Sequence, residues 1–402
     1  MIELGSCDPD VTDAACATYV KEVEQITRLP LNQVQPGADR IVTQRLTAAG
    51  PGAMSVSDVQ RGLKAIGFFP GAAVDGICGY RTLSAIRLFQ EYVRSVEKLD
   101  CVPDGRFGPA SQQHLQRWLE KGLRPDWAPT LERWQSGGLG RTEYSDWLSL
   151  LEQVKAQYQA SPNRMLQMVN AHAASDTRAV AQWDFSPKGS PQLVGVRRTE
   201  FSGKFDDVFV LLLKGLVFKF QGSTEPGASD SPLGTPFLVQ GQHDYHFGWH
   251  KKTYLALRPM GKGVLVVRSK NDKRLDEADL AGGLEPEPSI NVHWGGMGMA
   301  RDVNSWSEGC QVINGAVYIN ANNALIDCSA FCAVTPSQAM DRAAGKTRGA
   351  YNVLLDLVTA LASDLPGSSV RYTLLTEPDL ELAPALKQGL AQARDRVVRA
   401  AG

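Results

Sequence analysis

His293-Trp294-Gly295-Gly296 and, fourteen residues beyond that histidine, Ser307-Glu308-Gly309-Cys310 place an imidazole ahead of a thiol seated on a glycine turn. A thiol with an ordinary pKa of ~8.5 is mostly protonated at neutral pH, so it becomes a nucleophile only beside a base or a cation. A histidine can draw off that proton. A glycine before the cysteine lets backbone N–H groups approach a developing oxyanion with no side chain in the way. Cys310 and His293 are therefore candidate nucleophile and base, with Gly309 shaping the turn and Ser307 holding either the imidazole or the turn. The competing reading makes Cys310 a small buried hydrophobe and His293 a core histidine with satisfied hydrogen bonds.

The neighbours of the motif supply candidate substrate contacts. A carboxylate beside a thiol raises its pKa, so Glu308 serves chemistry only if it orients a cation; otherwise it is a solvated side chain. Trp294 and Trp306 flank the motif, as walls of a cleft or as core. Arg301 is placed to meet a substrate carboxylate. Three of the six histidines fall in Gln242–His250, at 243, 246 and 250. Spacings of three and four suit zinc, but on a strand His243 and His246 face opposite ways, so no metal site is expected. His246 or His250 is instead a candidate to line the cleft.

The totals bound the rest. A length of 402 residues accommodates two or three domains, each with its own core. The formal net charge is −1, which gives no electrostatic footprint for nucleic acid or an anionic membrane. No stretch reaches the ~18 apolar residues of a membrane span, and Val208–Leu213 is only strand-sized. The first residues, Met1-Ile2-Glu3-Leu4-Gly5-Ser6-Cys7, lack the basic and apolar regions of a Sec signal. Setting Cys310 aside, the remaining cysteines pair by proximity as 7/16, 78/101 and 328/332, an arithmetic that suits local disulfides in an oxidising compartment or, alternatively, reduced core thiols.

Along the chain, a helix is expected near Cys16–Leu29, stopped by Pro30, and Ala49–Ala53 reads as a linker. Then comes a repeat. Asp75-Gly76-x-x-Gly79-x-x-Thr82-x-x-x-Ile86-x-x-Phe89 recurs twenty-nine residues on as Asp104-Gly105-x-x-Gly108-x-x-Ser111-x-x-x-Leu115-x-x-Trp118. Each copy is a glycine turn feeding one face of a helix. Val56, Val59, Leu63 and Ile66 mark another helix ahead of it. Residues 123–190 read as helical, including Tyr144–Tyr158. After Gly195 the period shortens: Asp207–Leu213, Leu216–Phe220, Tyr254–Leu257 and Gly263–Val267 read as strands, and Tyr372–Leu375 as a last one. Helices are expected at Asn352–Leu361 and Glu381–Ala400.

Ser231-Pro232-Leu233-Gly234-Thr235, then His293, then Ser307-x-Gly309-Cys310 together resemble the YkuD-type L,D-transpeptidase catalytic domain in order and spacing over residues 191–380. Glu308 stands where that family carries a second histidine, no arginine follows Cys310 at two residues, and Pro236 delays the aromatic Phe237. Val59-Gln60, Leu63, Gly67-Phe68, Asp75-Gly76, Gly79, Thr82, Ala85 and Phe89-Gln90 resemble the small helical peptidoglycan-binding domain over 54–122, whose polar turns at Asp75–Arg81 and Asp104–Phe107 are candidate wall contacts. The resemblances imply an α+β multidomain chain: an N-terminal segment and linker (1–53), a peptidoglycan-binding-like helical domain (54–122), a helical bridging region (123–190), a mostly β catalytic domain (191–380) and a C-terminal helix (381–402). They imply cysteine acyl transfer on peptidoglycan stem tetrapeptides, as L,D-transpeptidase or L,D-carboxypeptidase, with no cofactor. The alternatives are a wall-binding protein without activity and a cysteine-dependent amidase or endopeptidase of phage or secretion-system origin. Peptidoglycan as partner, in the periplasm or outside the cell and without a Sec signal, points to delivery by a dedicated machine. A type VI secretion effector with a cognate immunity protein is one such arrangement.

Overall fold

The computed structural model describes the chain except for residues 36–39, 48–51, 71, 139, 173, 188–189, 228–231, 271–274, 298–301, 304–305, 342–344, 362–368 and 402. The first segment pairs β1 (Ser6–Cys7) with β2 (Gln44–Arg45) around α1 (Asp13–Thr27). Helices α2 (Val56–Ala65), α3 (Tyr80–Ser95) and α4 (Pro109–Glu120) carry the repeat, and α5 (Ala128–Gln135), α6 (Thr142–Ala160) and α7 (Arg164–Ala171) lead out of it. Strands β3 (Gln192–Arg197), β4 (Asp207–Leu213), β5 (Leu216–Ser223), β6 (Thr235–Leu238), β7 (Gly241–His250), β8 (Tyr254–Pro259), β9 (Val264–Ser269), β10 (Glu285–Glu287), β11 (Val292–Trp294), β12 (Gln311–Ile319) and β13 (Leu325–Asp327) follow. The chain closes with α8 (Pro336–Met340), α9 (Ala350–Leu361), β14 (Val370–Thr376) and α10 (Pro384–Ala401). This is the expected α+β organisation, with helices first and a strand-rich region, flanked by helices, after them.

The strands run β11-β8-β7-β14-β3-β4-β5-β12-β13, and β12 pairs again with β11, so the sheet closes on itself with β13 outside the ring. Both faces are covered, which explains why β4 reads as an unbroken apolar run rather than an alternation. Phe209, Leu211 and Leu213 face one core, shared with α3 and α9; Val208, Val210 and Leu212 face another, shared with α6 and α10. Pro236, the residue that delays the aromatic, lies in β6, which pairs only with β9 in a small separate sheet, an edge position where a missing N–H is tolerated.

In the helical region the repeat is held by a device the periodicity does not announce. Gln60, 1% exposed, donates through Nε2 to Asp75 Oδ1 (2.7 Å), Thr82 Oγ1 (2.9 Å) and the Ile77 carbonyl (3.1 Å), and its Oε1 accepts from the Asp75 and Gly76 N–H groups (both 3.0 Å). Gln90 repeats this, donating to the Arg106 carbonyl (2.9 Å) and Ser111 Oγ (3.0 Å) and accepting from Gly105 N–H (2.9 Å). Asp75 and Asp104 thus serve their own turns, with Oδ1 accepting from Ile77 N–H (2.9 Å) and Arg106 N–H (2.8 Å). Above the turns, Phe68, Phe89, Tyr92, Trp118 and Trp127 pack edge to face at 5.2–5.7 Å, and Trp127 reaches Phe218 of the ring at 6.3 Å.

Helix α3 is buried on nearly every side because α9 packs along it. Arg87 forms a two-pronged pair with Asp356 of α9 (Nε–Oδ2 2.8 Å, Nη2–Oδ1 2.5 Å), and buried Glu91 holds Arg94, which donates to the Asp327 carbonyl at 2.7 Å and lies over Phe331 at 4.3 Å. One hydrophobic core therefore runs from the repeat into the ring.

The disulfide expectations are corrected: all seven cysteines are free thiols. The sulfurs of Cys7 and Cys16 lie in hydrogen-bond contact at 3.3 Å, and burial pushes the Cys7 thiol up to about 12. Cys78, Cys101, Cys328 and Cys332 are buried as small hydrophobes in the main core.

Candidate active site

A parallel strand pair sets Cys310 and His293 on one face. β11 and β12 align Val292 with Gln311, His293 with Val312 and Trp294 with Ile313. Paired residues of parallel strands share a face, and every second residue returns to it, so Cys310, just ahead of β12, lies on the His293 face. Asn291, immediately before β11, is opposite Cys310: its N–H donates to Sγ at 3.3 Å, and its carbonyl accepts from Gln311 N–H at 2.8 Å. The Cys310 thiol in turn donates to the Ser289 carbonyl at 3.4 Å. No hydrogen bond joins Cys310 to His293 among the described residues.

Ser307 holds the turn and not the imidazole. Its Oγ donates to the Cys310 carbonyl (2.7 Å) and accepts from Gly309 N–H (3.1 Å). The Cys310 N–H, like those of Ser307 and Glu308, has no hydrogen bond among the described residues. Gly309 is required for space: a Cβ there would meet Pro236 Cγ at 2.6 Å and the Pro236 carbonyl at 2.8 Å. The Thr235-Pro236-Phe237 strand and the Ser307–Cys310 turn are therefore packed partners, although more than seventy residues separate them in sequence.

His293 is buried, and its Nδ1 lies 2.8 Å from the Trp294 carbonyl, an acceptor that makes Nδ1 the protonated nitrogen and leaves Nε2 with its lone pair. His250 stacks on it, with ring centroids 4.1 Å apart and an interplanar angle of 23°. The Asn291 amide Nδ2 donates to His250 Nδ1 at 3.1 Å. Burial dominates the titration of all three groups. It holds His293 down to about 4 and His250 down to about 2, and it pushes Cys310 up to about 11 against the opposing pull of the Asn291 N–H and Lys251. Burial thus favours the neutral form of the half-buried thiol and of both imidazoles.

The other expected contacts divide. His250 lies against His293 and Asn291. His246, four residues back along β7, lies with Nδ1 3.1 Å from the Ile26 carbonyl of α1, and His243 is fully buried between Thr177 Oγ1 (2.9 Å) and the Val239 carbonyl (3.1 Å). The three do not converge, and no cluster of His, Cys, Asp and Glu suited to a metal occurs among the described residues. Glu308 is exposed. Trp294 is fully buried, stacked edge to face on Trp306 at 5.5 Å, as core rather than cleft wall. Arg301 and Ser231 lie outside the described residues.

Sequence reasoning missed Asn291, Tyr254 and Arg348. The Tyr254 hydroxyl sits 3.4 Å from both His293 Nδ1 and the Trp294 carbonyl, and the Arg348 guanidinium lies over its ring at 4.3 Å. Asn291, two residues before His293 and on its face, carried a usable signal; Arg348 arrives from a loop fifty-five residues away and carried none. A cavity of about 210 Å³ opens between α1, the first repeat turn and the β7–β8 hairpin, lined by Tyr19, Glu22, Ile26, Asp75, Arg81 and Phe247 among others. Its lining contains neither Cys310 nor His293, and here the chemistry is the better guide than the volume. No protein-family model matches the chain, and neither a curated protein nor a solved structure matches it. Among the described residues no helix is long and apolar enough to cross a membrane.

Proposed function

We propose that this protein is a cysteine acyltransferase acting on peptidoglycan stem peptides, as an L,D-transpeptidase or L,D-carboxypeptidase. The observation that supports it is the parallel pairing that sets Cys310 and His293 on one face, with the turn built by Ser307 and Gly309. In this reading Cys310 Sγ attacks the carbonyl of the third stem residue while His293 Nε2 takes the thiol proton. The Cys310 N–H holds the oxyanion. His293 then returns the proton to the departing D-alanine amine, leaving a thioester that passes to an amine of a second stem or to water. In this reading His250, stacked on His293, fills the role of the second histidine that the resembled family carries where this chain has Glu308. The substrate places the activity outside the cytoplasmic membrane.

A wall-binding protein without turnover is the second reading. It is favoured by the absence of a Cys310–His293 hydrogen bond and by the wide separation of their pKa values. Mass spectrometry of disaccharide-tetrapeptide incubated with the protein and with Cys310→Ala decides between them. Loss of D-alanine in the unmutated sample alone, with or without a 3–3 dimer, is the expected result. No mass change on this substrate or on cross-linked sacculi leaves the wall-binding reading.

A further inference from the structure

The hairpin that carries His250 turns on two lysines. β7 and β8 pair His250 with Tyr254, and Thr253 N–H donates to the His250 carbonyl at 2.9 Å, which makes His250–Thr253 a four-residue turn. Its central residues, Lys251 and Lys252, have φ of 47° and 59°. Two consecutive left-handed residues define the type I′ turn, whose ordinary occupants are Asn-Gly or Asp-Gly. Lysine pays for that backbone with strain that glycine would not incur. The turn is not improvised, because the N-terminal segment braces it: Gln35 N–H donates to the Lys252 carbonyl (2.9 Å) and Gln35 Nε2 to the Lys251 carbonyl (3.4 Å).

Both lysines are exposed, and the Lys251 ammonium has no acidic partner among the described residues. It follows directly on a histidine whose ring is stacked 4.1 Å from His293. Glu287, the acid that acts on Cys310, is engaged by Arg268 at 2.7 Å and by Ser289 Oγ at 2.7 Å. Arg258, beneath the same hairpin, and Arg348, over Tyr254, add positive charge behind it. Lys251 also acts on Cys310, His250 and His293 alike, in each case after the larger effect of burial.

We infer that the Lys251-Lys252 turn is an anion-binding subsite beside Cys310, which takes a carboxylate of the acyl donor next to the scissile carbonyl. The assignment deepens the acyl-transfer reading and names its donor class: a peptide that presents a free carboxylate, not its amide. It also gives the strained turn a reason, since Asn-Gly would relax the backbone and remove the charge.

The test compares alkylation of Cys310 by iodoacetate, an anion, and by iodoacetamide, its neutral counterpart; the other cysteines are buried. Lys251→Met is expected to lower the iodoacetate-to-iodoacetamide rate ratio about fivefold at low salt, the scale of one screened charge near the thiol. Lys251→Asn/Lys252→Gly is expected to lower it similarly while raising the Tm by about 2 °C or more. An unchanged ratio in both variants overturns the subsite. A reduced ratio in a protein that releases no D-alanine keeps the anion subsite and removes the acyl-transfer reading, so the two fail separately.

Discussion

At Cys310 and His293 one physical cause acts on two groups with opposite sign. Burial disfavours charge, so it raises the thiol and lowers the imidazole, to about 11 and about 4. Thiolate is the form that reacts, and below a raised pKa its fraction grows tenfold per pH unit. The rate of Cys310 alkylation by iodoacetamide is therefore expected to climb continuously from pH 7 toward 11. A plateau near neutrality would mean that a thiolate–imidazolium pair forms in the resting protein. Stopped-time alkylation with Cys310→Ser as the blank measures it. The residue pattern His293…Ser307-x-Gly309-Cys310 was legible because the chemistry needs those types in that order. The neutral resting state was not, since it depends on how deeply β11 and β12 are covered, and sequence spacing does not carry that.

Elements were legible where periodicity had a single explanation. β4 runs over Asp207–Leu213 as its apolar run reads, and α9 and α10 lie within a few residues of their expected bounds. The closure of the ring through β11 and β12 was hidden, because a three-residue strand has no period. Partner choice in the repeat was hidden for a different reason. The glycine turns announce themselves, but Gln60 and Gln90 look like ordinary polar positions on helices. In the fold each replaces several turn hydrogen bonds that backbone alone would leave open. Gln60→Ala removes the acceptor of the Asp75 and the buried Gly76 N–H groups and is expected to cost about 2–4 kcal/mol. Denaturant unfolding would register it as a lower midpoint at unchanged slope. A loss under 1 kcal/mol would show that water replaces the glutamine.

At the scale of the molecule, the repeat and the ring share one core, with α9 between them. The Arg87–Asp356 pair crosses that junction, and the Asp356 side chain is only 2% exposed. Removing one member of a buried pair leaves the other's charge less well compensated: Arg87→Met is expected to destabilise by about 3–5 kcal/mol, and Arg87→Met/Asp356→Leu to recover most of it. A second expectation comes with it, that heating the unmutated protein gives one transition read alike by helix and strand signals. Two separated transitions would mean that the helical region is an independent body docked on the ring. From sequence, residues 54–122 look like a free-standing unit because the repeat supplies its own hydrophobic face. What the chain does with the other face of α3 is a long-range fact, decided by a helix more than 250 residues later.

β14 lies between β7 and β3, the middle of the ring, yet it is the last strand made. As the polypeptide leaves the ribosome, the β3-β4-β5 meander and the β7–β8 hairpin can form while the gap between β3 and β7 stays open. Two unpaired edges are then presented to whatever is nearby until residue 376 emerges. The nascent chain therefore passes through a late window in which both edges are open to wrong pairing. Truncation ahead of Val370 would make that window permanent, yielding aggregate in place of a smaller folded protein.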